Sequence, residues 1–215
     1  LEKIGETVSD IFRTKIEASD NYRKYKEELD RYKQYSTAKK EEDDFNRRKK
    51  HALQKKASKF MDILILEPRQ EGGVFSIVTQ LLTLDPDIFN FKVIDYDTSF
   101  GYDLLVTTST ALDLNQAAMY FVEMKYILGN DFNHSFKKLA AIVCWDTDIP
   151  DDYELEDMIG EKRIMKITPK PHGSNDHTKY MLISNTASHN IEVFVLRKYL
   201  KEKLDLDFVP RGEIV

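Results

Sequence analysis

The hydrophobic rhythm of the chain changes near residue 60. Before that point apolar positions recur at helical spacing: Ile4, Val8 and Ile11, then Tyr22, Tyr25, Leu29 and Tyr32. The second set steps by three, four and three, the spacing of a coiled-coil seam. Residues 1–60 hold no proline and only Gly5 among glycines, and they are dense in Lys, Glu, Arg and Asp. The pattern predicts two long helices with a break near YSTAKKEEDD, residues 35–44. Two roles suit such a segment: a helical hairpin packed on its own domain, or an arm for dimerisation or interdomain contact, with residues 20–35 as the dimer seam.

From Phe60 onward the texture is that of a mixed α/β domain. MDILILEP (61–68) is a short apolar stretch stopped by Pro68, and QEGGVFSIVTQLLTL (70–84) has a helical stripe at Val74, Phe75, Val78, Leu81 and Leu82. FKVIDYD (91–97) and YDLLVTT (102–108) predict two strands joined through TSFG as a hairpin. LDLNQAA (112–118) predicts a loop, MYFVEMKYIL (119–128) a strand, NHSFKKLA (133–140) a short helix and AAIVCW (140–145) a buried strand. An acidic segment, 146–163, precedes strands at RIMKITP and YMLISN, which flank the polar loop KPHGSNDHT. IEVFVLRKYLKEKL (191–204) is a strand running into a helix, or a helix throughout. The order of elements predicts an α/β fold with a mixed sheet flanked by helices. The domains expected are an arm at 1–60 and an α/β domain at 61–215.

Composition narrows the setting. The 215 residues are 41% hydrophobic, with 12 Phe and 11 Tyr, enough for a packed core. A lone cysteine, Cys144, excludes an intramolecular disulfide and a Cys-based zinc cage, and predicts a reducing, intracellular location: cytoplasm, or nucleus in a eukaryote. No apolar run nears the roughly 20 residues that cross a bilayer, so no membrane partner is expected. A start at Leu1 suggests a fragment of a longer polypeptide. The net charge of −5 conceals an asymmetry: residues 1–60 carry 17 Lys and Arg against 12 Asp and Glu, and the remainder 15 against 25. The acidic part is unlike a non-specific nucleic-acid binder. The best basic patch for a phosphate backbone is NRRKKHALQKK, Asn46 to Lys56.

The chemistry centres on YFVEMKYIL, residues 120–128, where Glu123 and Lys125 interrupt an apolar, strand-forming run. Residues two apart on a strand share a face, and an unpaired buried charge is costly. Alternation puts Tyr120, Val122, Met124 and Tyr126 on the packed side and Glu123 and Lys125 on the other. Glu-x-Lys by itself is expected by chance in so charged a chain, but Asp103 interrupts the preceding apolar strand too. Two neighbouring strands turning carboxylates to one end of a sheet suit a hard divalent cation. Mg²⁺ takes one or two carboxylates plus waters and substrate phosphate. A lysine on the same face can hold the attacking water or neutralise developing phosphorane charge.

This arrangement resembles the PD-(D/E)xK nuclease superfamily, the restriction-endonuclease-like fold. The family order is a helix with an acid, a strand with Asp, a strand with (Asp/Glu)-x-Lys, a helix and a further strand. Here it reads EPRQEGGVFSIVTQLL, GYDLLV, VEMK, NHSFKKLA and AIVCW, over roughly residues 62–145. Tyr102 stands where the family often has Pro. The resemblance implies Asp103 and Glu123 as metal ligands, Lys125 as the catalytic lysine and the Met124 carbonyl as a further ligand. Glu71 is the fourth site residue, preferred to Glu67 because it shares the inward stripe with Val74, Phe75 and Val78. The implied activity is Mg²⁺-dependent (Mn²⁺ substituting) phosphodiester hydrolysis, a DNA endonuclease more than an RNA one, carried by a domain of a larger protein. His134, Lys137 and Lys138, at the expected helix start, would bind nucleic acid through phosphate. A homodimer through the arm would set two sites on opposite strands. The alternative is an inactive restriction-endonuclease-like module for nucleic-acid binding or assembly. A third possibility makes Glu123 and Lys125 a structural ion pair.

Other signals carry less. Asp95 and Asp97 adjoin a turn, and the run Asp146, Asp148, Asp151, Asp152, Glu154, Glu156, Asp157 lacks EF-hand glycine spacing, so solvated loop acids are expected. His172 and His177 lack zinc-ligand partners, Ser184, Ser188 and His189 lack a nucleophile elbow, and there is no phosphate-binding glycine loop.

Overall fold

The computed structural model describes residues 2–97, 101–108 and 118–213, and divides into two compact units, Leu1–Gln54 and Lys55–Val215. The division falls a few residues before the change in composition, because Ala57 already begins a strand.

The first unit is α1 (Glu2–Glu17) and α2 (Asp20–Leu53). The break lies at Ala18–Ser19, not within residues 35–44. Ser19 caps α2: its Oγ accepts the Tyr22 N–H at 3.2 Å, satisfying a donor that a helix start leaves open. Residues 35–44 contain neither glycine nor proline, and Thr37 bonds back to the Lys33 carbonyl at 2.9 Å without interrupting the helix. At 1.5 Å per residue, α2 is about 51 Å long. None of its described side chains is buried, and the seam residues Tyr25, Leu29 and Tyr32 are exposed.

The second unit begins with β1 (Ala57–Phe60) and β2 (Ile63–Leu66), an antiparallel pair, followed by α3 (Glu71–Leu84). Eight further strands form one sheet: β3 (Lys92–Tyr96), β4 (Leu104–Thr107), β5 (Met119–Leu128), β6 (Leu139–Thr147), β7 (Glu154–Glu156), β8 (Lys162–Thr168), β9 (Lys179–Ile183) and β10 (Ile191–Val195). The last runs directly into α4 (Leu196–Leu204). The spatial order is β3-β4-β5-β6-β10-β9-β8-β7. β5, β6 and β10 are parallel and the other pairs antiparallel, so the sheet is mixed.

Alternation sorts the two faces. On β6, Ala141, Val143 and Trp145 join a core with Val74, Ile77, Val78 and Leu81 of α3 and Leu196, Tyr199 and Leu200 of α4. Ile142 and Cys144 join the opposite core with Phe132, Phe136, Ile149, Leu155, Leu182 and Val193. Both helices of this unit therefore pack on one face. The other face is closed by the segment 129–138 and the outer strands, in place of the helices expected on either side.

The helix expected over 133–140 does not form. The Phe136 N–H goes to the Asp157 carboxylate at 2.9 Å and the Lys137 N–H to the Ser135 hydroxyl at 3.3 Å, and these bonds hold the segment in an irregular course. Lys137 and Lys138 are exposed on an irregular segment and no helix N-terminus backs them. The acidic stretch 146–163 is also not simply solvated. It supplies β7; Asp146 pairs with Arg197 at 3.2 Å, and Asp157 is buried. Most of the loop expected at 112–118, and most of TSFG, lie outside the described residues; β3 and β4 do pair antiparallel. Among the described residues no helix is long and apolar enough to cross a membrane.

Candidate functional site

β5 carries the two central charges. Val122 and Met124 are buried against the α3 face, which directs Glu123 and Lys125 the other way, as alternation requires. Glu123 is 2% exposed and one of few buried charged groups among the described residues. Its Oε1 receives the Lys125 ammonium at 2.7 Å and lies 3.1 Å from His134 Nε2. Its Oε2 is buried and has no hydrogen-bond partner among the described residues. A buried acceptor left unmade costs about 1–3 kcal/mol, more when charged.

Asp103 stands one residue before β4, at the point where the β4–β5 ladder ends with Leu104 opposite Val122. Beyond that point its Oδ2 accepts the Met124 N–H at 2.8 Å, a side chain doing what the next strand residue would otherwise do. Glu71 opens α3 and is more exposed; its Oε1 is 3.6 Å from Lys125 Nζ. The helix start is fixed by close packing: a Cβ on Gly73 would sit 2.8 Å from the Pro68 Cβ. Glu71, Gly72, Phe75, Tyr96, Asp103 and Met124 line a pocket of about 250 Å³, with the Phe75 and Tyr96 rings stacked at 3.9 Å.

The electrostatics are those of crowded carboxylates. Burial pushes the Glu123 carboxyl up to about 7; the Lys125 hydrogen bond and charge oppose this, and Asp103 and Glu71 add to it. Asp103 is raised by burial, opposed by the Met124 N–H and assisted by Glu71. Burial pulls Lys125 down, but its bond to Glu123 and the charges of Glu123, Glu71 and Asp103 outweigh that, and the net direction is up. His134 is lowered by burial and by Lys125. Excess negative charge with partial desolvation favours an added cation.

Glu71, Asp103, Glu123, Met124, Lys125 and His134 thus lie in one neighbourhood, linked by contacts or by electrostatic coupling. Among the described residues, no ion pair or side-chain hydrogen bond joins Lys137 or Lys138 to them, and both are exposed. Among the described residues, no three His, Cys, Asp or Glu side chains converge as a ready metal cage. That is compatible with Mg²⁺, which retains waters and needs only one or two carboxylates, and the partnerless Glu123 Oε2 is the oxygen available for it.

Sequence reasoning missed two supports of this neighbourhood. Asp157 accepts N–H groups from Phe136, Ile159 and Glu161 at 2.8–2.9 Å. Its signal is present as DMIG, Asp three before a glycine, a turn pattern; Gly160 has φ +85°. Arg163, 1% exposed, bonds Glu161 and the His189 carbonyl and lies 5.2 Å over the Phe136 ring. The chain has no match among protein-family models, curated proteins or solved structures.

Proposed function

We propose that residues 55–215 form a divalent-metal-dependent nuclease domain of the restriction-endonuclease-like class, hydrolysing phosphodiester bonds in DNA in preference to RNA. The observation that carries this is the buried Glu123 carboxylate with a partnerless Oε2, held beside Asp103 and Lys125. Asp103 Oδ1, Glu123 Oε2 and the Met124 carbonyl would hold Mg²⁺ or Mn²⁺, with Glu71 at the mouth. The bound ion would supply a hydroxide near neutral pH and offset charge on the pentacoordinate phosphorus. Lys125 would orient the attacking water and neutralise the same charge. Exposed Lys137 and Lys138 and the run Asn46–Lys56 would contact the phosphate backbone. The exposed α2 seam would pair two copies.

The test is cleavage of plasmid and linear DNA with Mg²⁺ or Mn²⁺. Wild type should cut, and Lys125→Ala should lose about 10²–10³-fold or more, the scale for a group stabilising transition-state charge. Equal rates for the two proteins, or no cutting by wild type, would remove catalysis from this site. A second reading, an inactive nucleic-acid-binding or assembly module, is favoured by one observation: Lys125 is engaged by Glu123 at 2.7 Å, as a structural ion pair would be. Calorimetry with no Mn²⁺ uptake would select it.

A further inference from the structure

We propose that the stacked rings of Phe75 and Tyr96 form a platform for an unpaired nucleobase beside the candidate site, so that the substrate is a single strand rather than an intact duplex. This rests on the nuclease reading of the site and names the form of nucleic acid it takes.

The two rings come from the elements that carry the outer acids. Phe75 lies one turn along α3 from Glu71, a spacing that puts both on one side of the helix. Tyr96 ends β3 and pairs with Leu104, the residue after Asp103. The rings stack at 3.9 Å and 12° and, with Glu71, Gly72, Asp103 and Met124, line the pocket of about 250 Å³. Stacking against Phe75 covers one face of the Tyr96 ring, yet Tyr96 remains 43% exposed. Its strand is at the edge of the eight-stranded sheet.

Charge decides what such a platform can hold. Residues 61–215 carry 15 Lys and Arg against 25 Asp and Glu, and two carboxylates line the pocket itself. A polyanion gains little from phosphate contacts in such surroundings. Stacking of a base on an aromatic ring needs no basic side chain and tolerates any base. The pocket is smaller than the ~300–1,000 Å³ of a drug-sized ligand site, a scale that suits one base rather than a base pair. Inside a duplex both faces of a base are covered by its neighbours, so a base reaches Tyr96 only from a single strand or by leaving the stack. A base held there would bring its own backbone beside Glu71 and Asp103.

The experiment is fluorescence anisotropy in MgCl₂ with one labelled DNA oligonucleotide, as a single strand and as a blunt duplex. Lys125→Ala serves as the parent, so that the strands stay uncut, and Tyr96→Leu and Tyr96→Phe are added to it. The parent should bind the single strand more tightly than the duplex. Tyr96→Leu keeps an apolar side chain against Phe75 but removes the ring. It should weaken single-strand binding about 5–150-fold, the worth of one stacked base, and leave duplex binding within about twofold. Tyr96→Phe, which keeps the ring, should retain the parent's preference. A parent without that preference, or Tyr96→Leu binding the single strand as the parent does, would overturn the platform while leaving the nuclease reading intact. Tyr96→Phe losing as much as Tyr96→Leu would overturn it as well, by showing that the ring is not what matters. Equal losses on both forms would do the same, since Tyr96 would then act through the packing of α3 on the edge strand. Absence of binding to either form, by the parent and by wild type, would overturn the nuclease reading itself, and the platform with it.

Discussion

Among the described residues of the second unit, two carboxylates are almost fully buried, and they are treated in opposite ways. Asp157, 5% exposed, accepts three backbone N–H groups across both oxygens. Glu123, 2% exposed, takes one side-chain donor, Lys125, on Oε1, with the His134 imidazole 3.1 Å from the same oxygen, and among the described residues none on Oε2. Desolvation is similar for both; satisfaction is not. A fold that closes the 157–161 turn around a carboxylate uses it as structure. A fold that leaves one oxygen bare inside the protein forgoes stability there, which a protein tolerates where something else is to bind.

Isosteric amides turn this contrast into opposite signs. Asp157→Asn places an NH₂ where an N–H already points and removes the charge from three hydrogen bonds. Urea unfolding should show a loss of about 2–4 kcal/mol. Glu123→Gln should do the reverse in metal-free protein. Because the folded carboxyl sits near 7 against an ordinary 4.5, the folded state binds its proton more tightly than the unfolded state. Stability from this group is then present below pH 4.5, is lost as pH rises toward 7, and stays lost above it, on the order of 3 kcal/mol in all. Glu123→Gln, neutral at every pH, should exceed wild type by about 1–3 kcal/mol at pH 8, with the gap closing toward pH 4.5. Both variants losing stability equally at pH 8 would make Glu123 as structural as Asp157. The same Glu123→Gln should abolish Mn²⁺ uptake, so stability and binding move in opposite directions.

The contrast also separates what was readable in the sequence. β5 and helix α3 announce themselves by periods of 2 and 3.6 and β6 by an unbroken apolar run, and β5 places Glu123 and Lys125 on the face that alternation assigns. That Asp103 and Glu71 come near Glu123 and Lys125 was legible from the order of elements, but Glu71 does not share the buried stripe of α3: it is exposed and reaches only Lys125, at 3.6 Å. The state of NHSFKKLA was not, because it is set by Asp157, twenty-one residues beyond Phe136, and by Tyr102, thirty-three before Ser135. Local propensity favours a helix there and tertiary hydrogen bonds override it. The opposite case is Ser19, whose capping signal is local, whereas the polar stretch 35–44 contains no glycine or proline to break a helix.

The arm supplies the mildest test of the same principle, that unsatisfied groups mark where partners belong. In the second unit the unmet group is one carboxylate oxygen; in α2 it is apolar surface. Tyr25, Leu29 and Tyr32 are 63%, 37% and 70% exposed at seam spacing on a helix with no buried described side chain. Isolated helices gain their stability mostly from packing an apolar face, and the proposed second copy along the seam would supply that packing. Light scattering should therefore give a dimer mass for the chain, and Leu29→Glu with Tyr32→Glu should return it to monomer. Neither residue belongs to the sheet-bearing unit, so its thermal transition should stay within about 0.5 kcal/mol of wild type. A wild-type monomer at high concentration would leave the seam as exposed surface without a second copy to cover it, and would confine the argument from unmet groups to the carboxylate on β5.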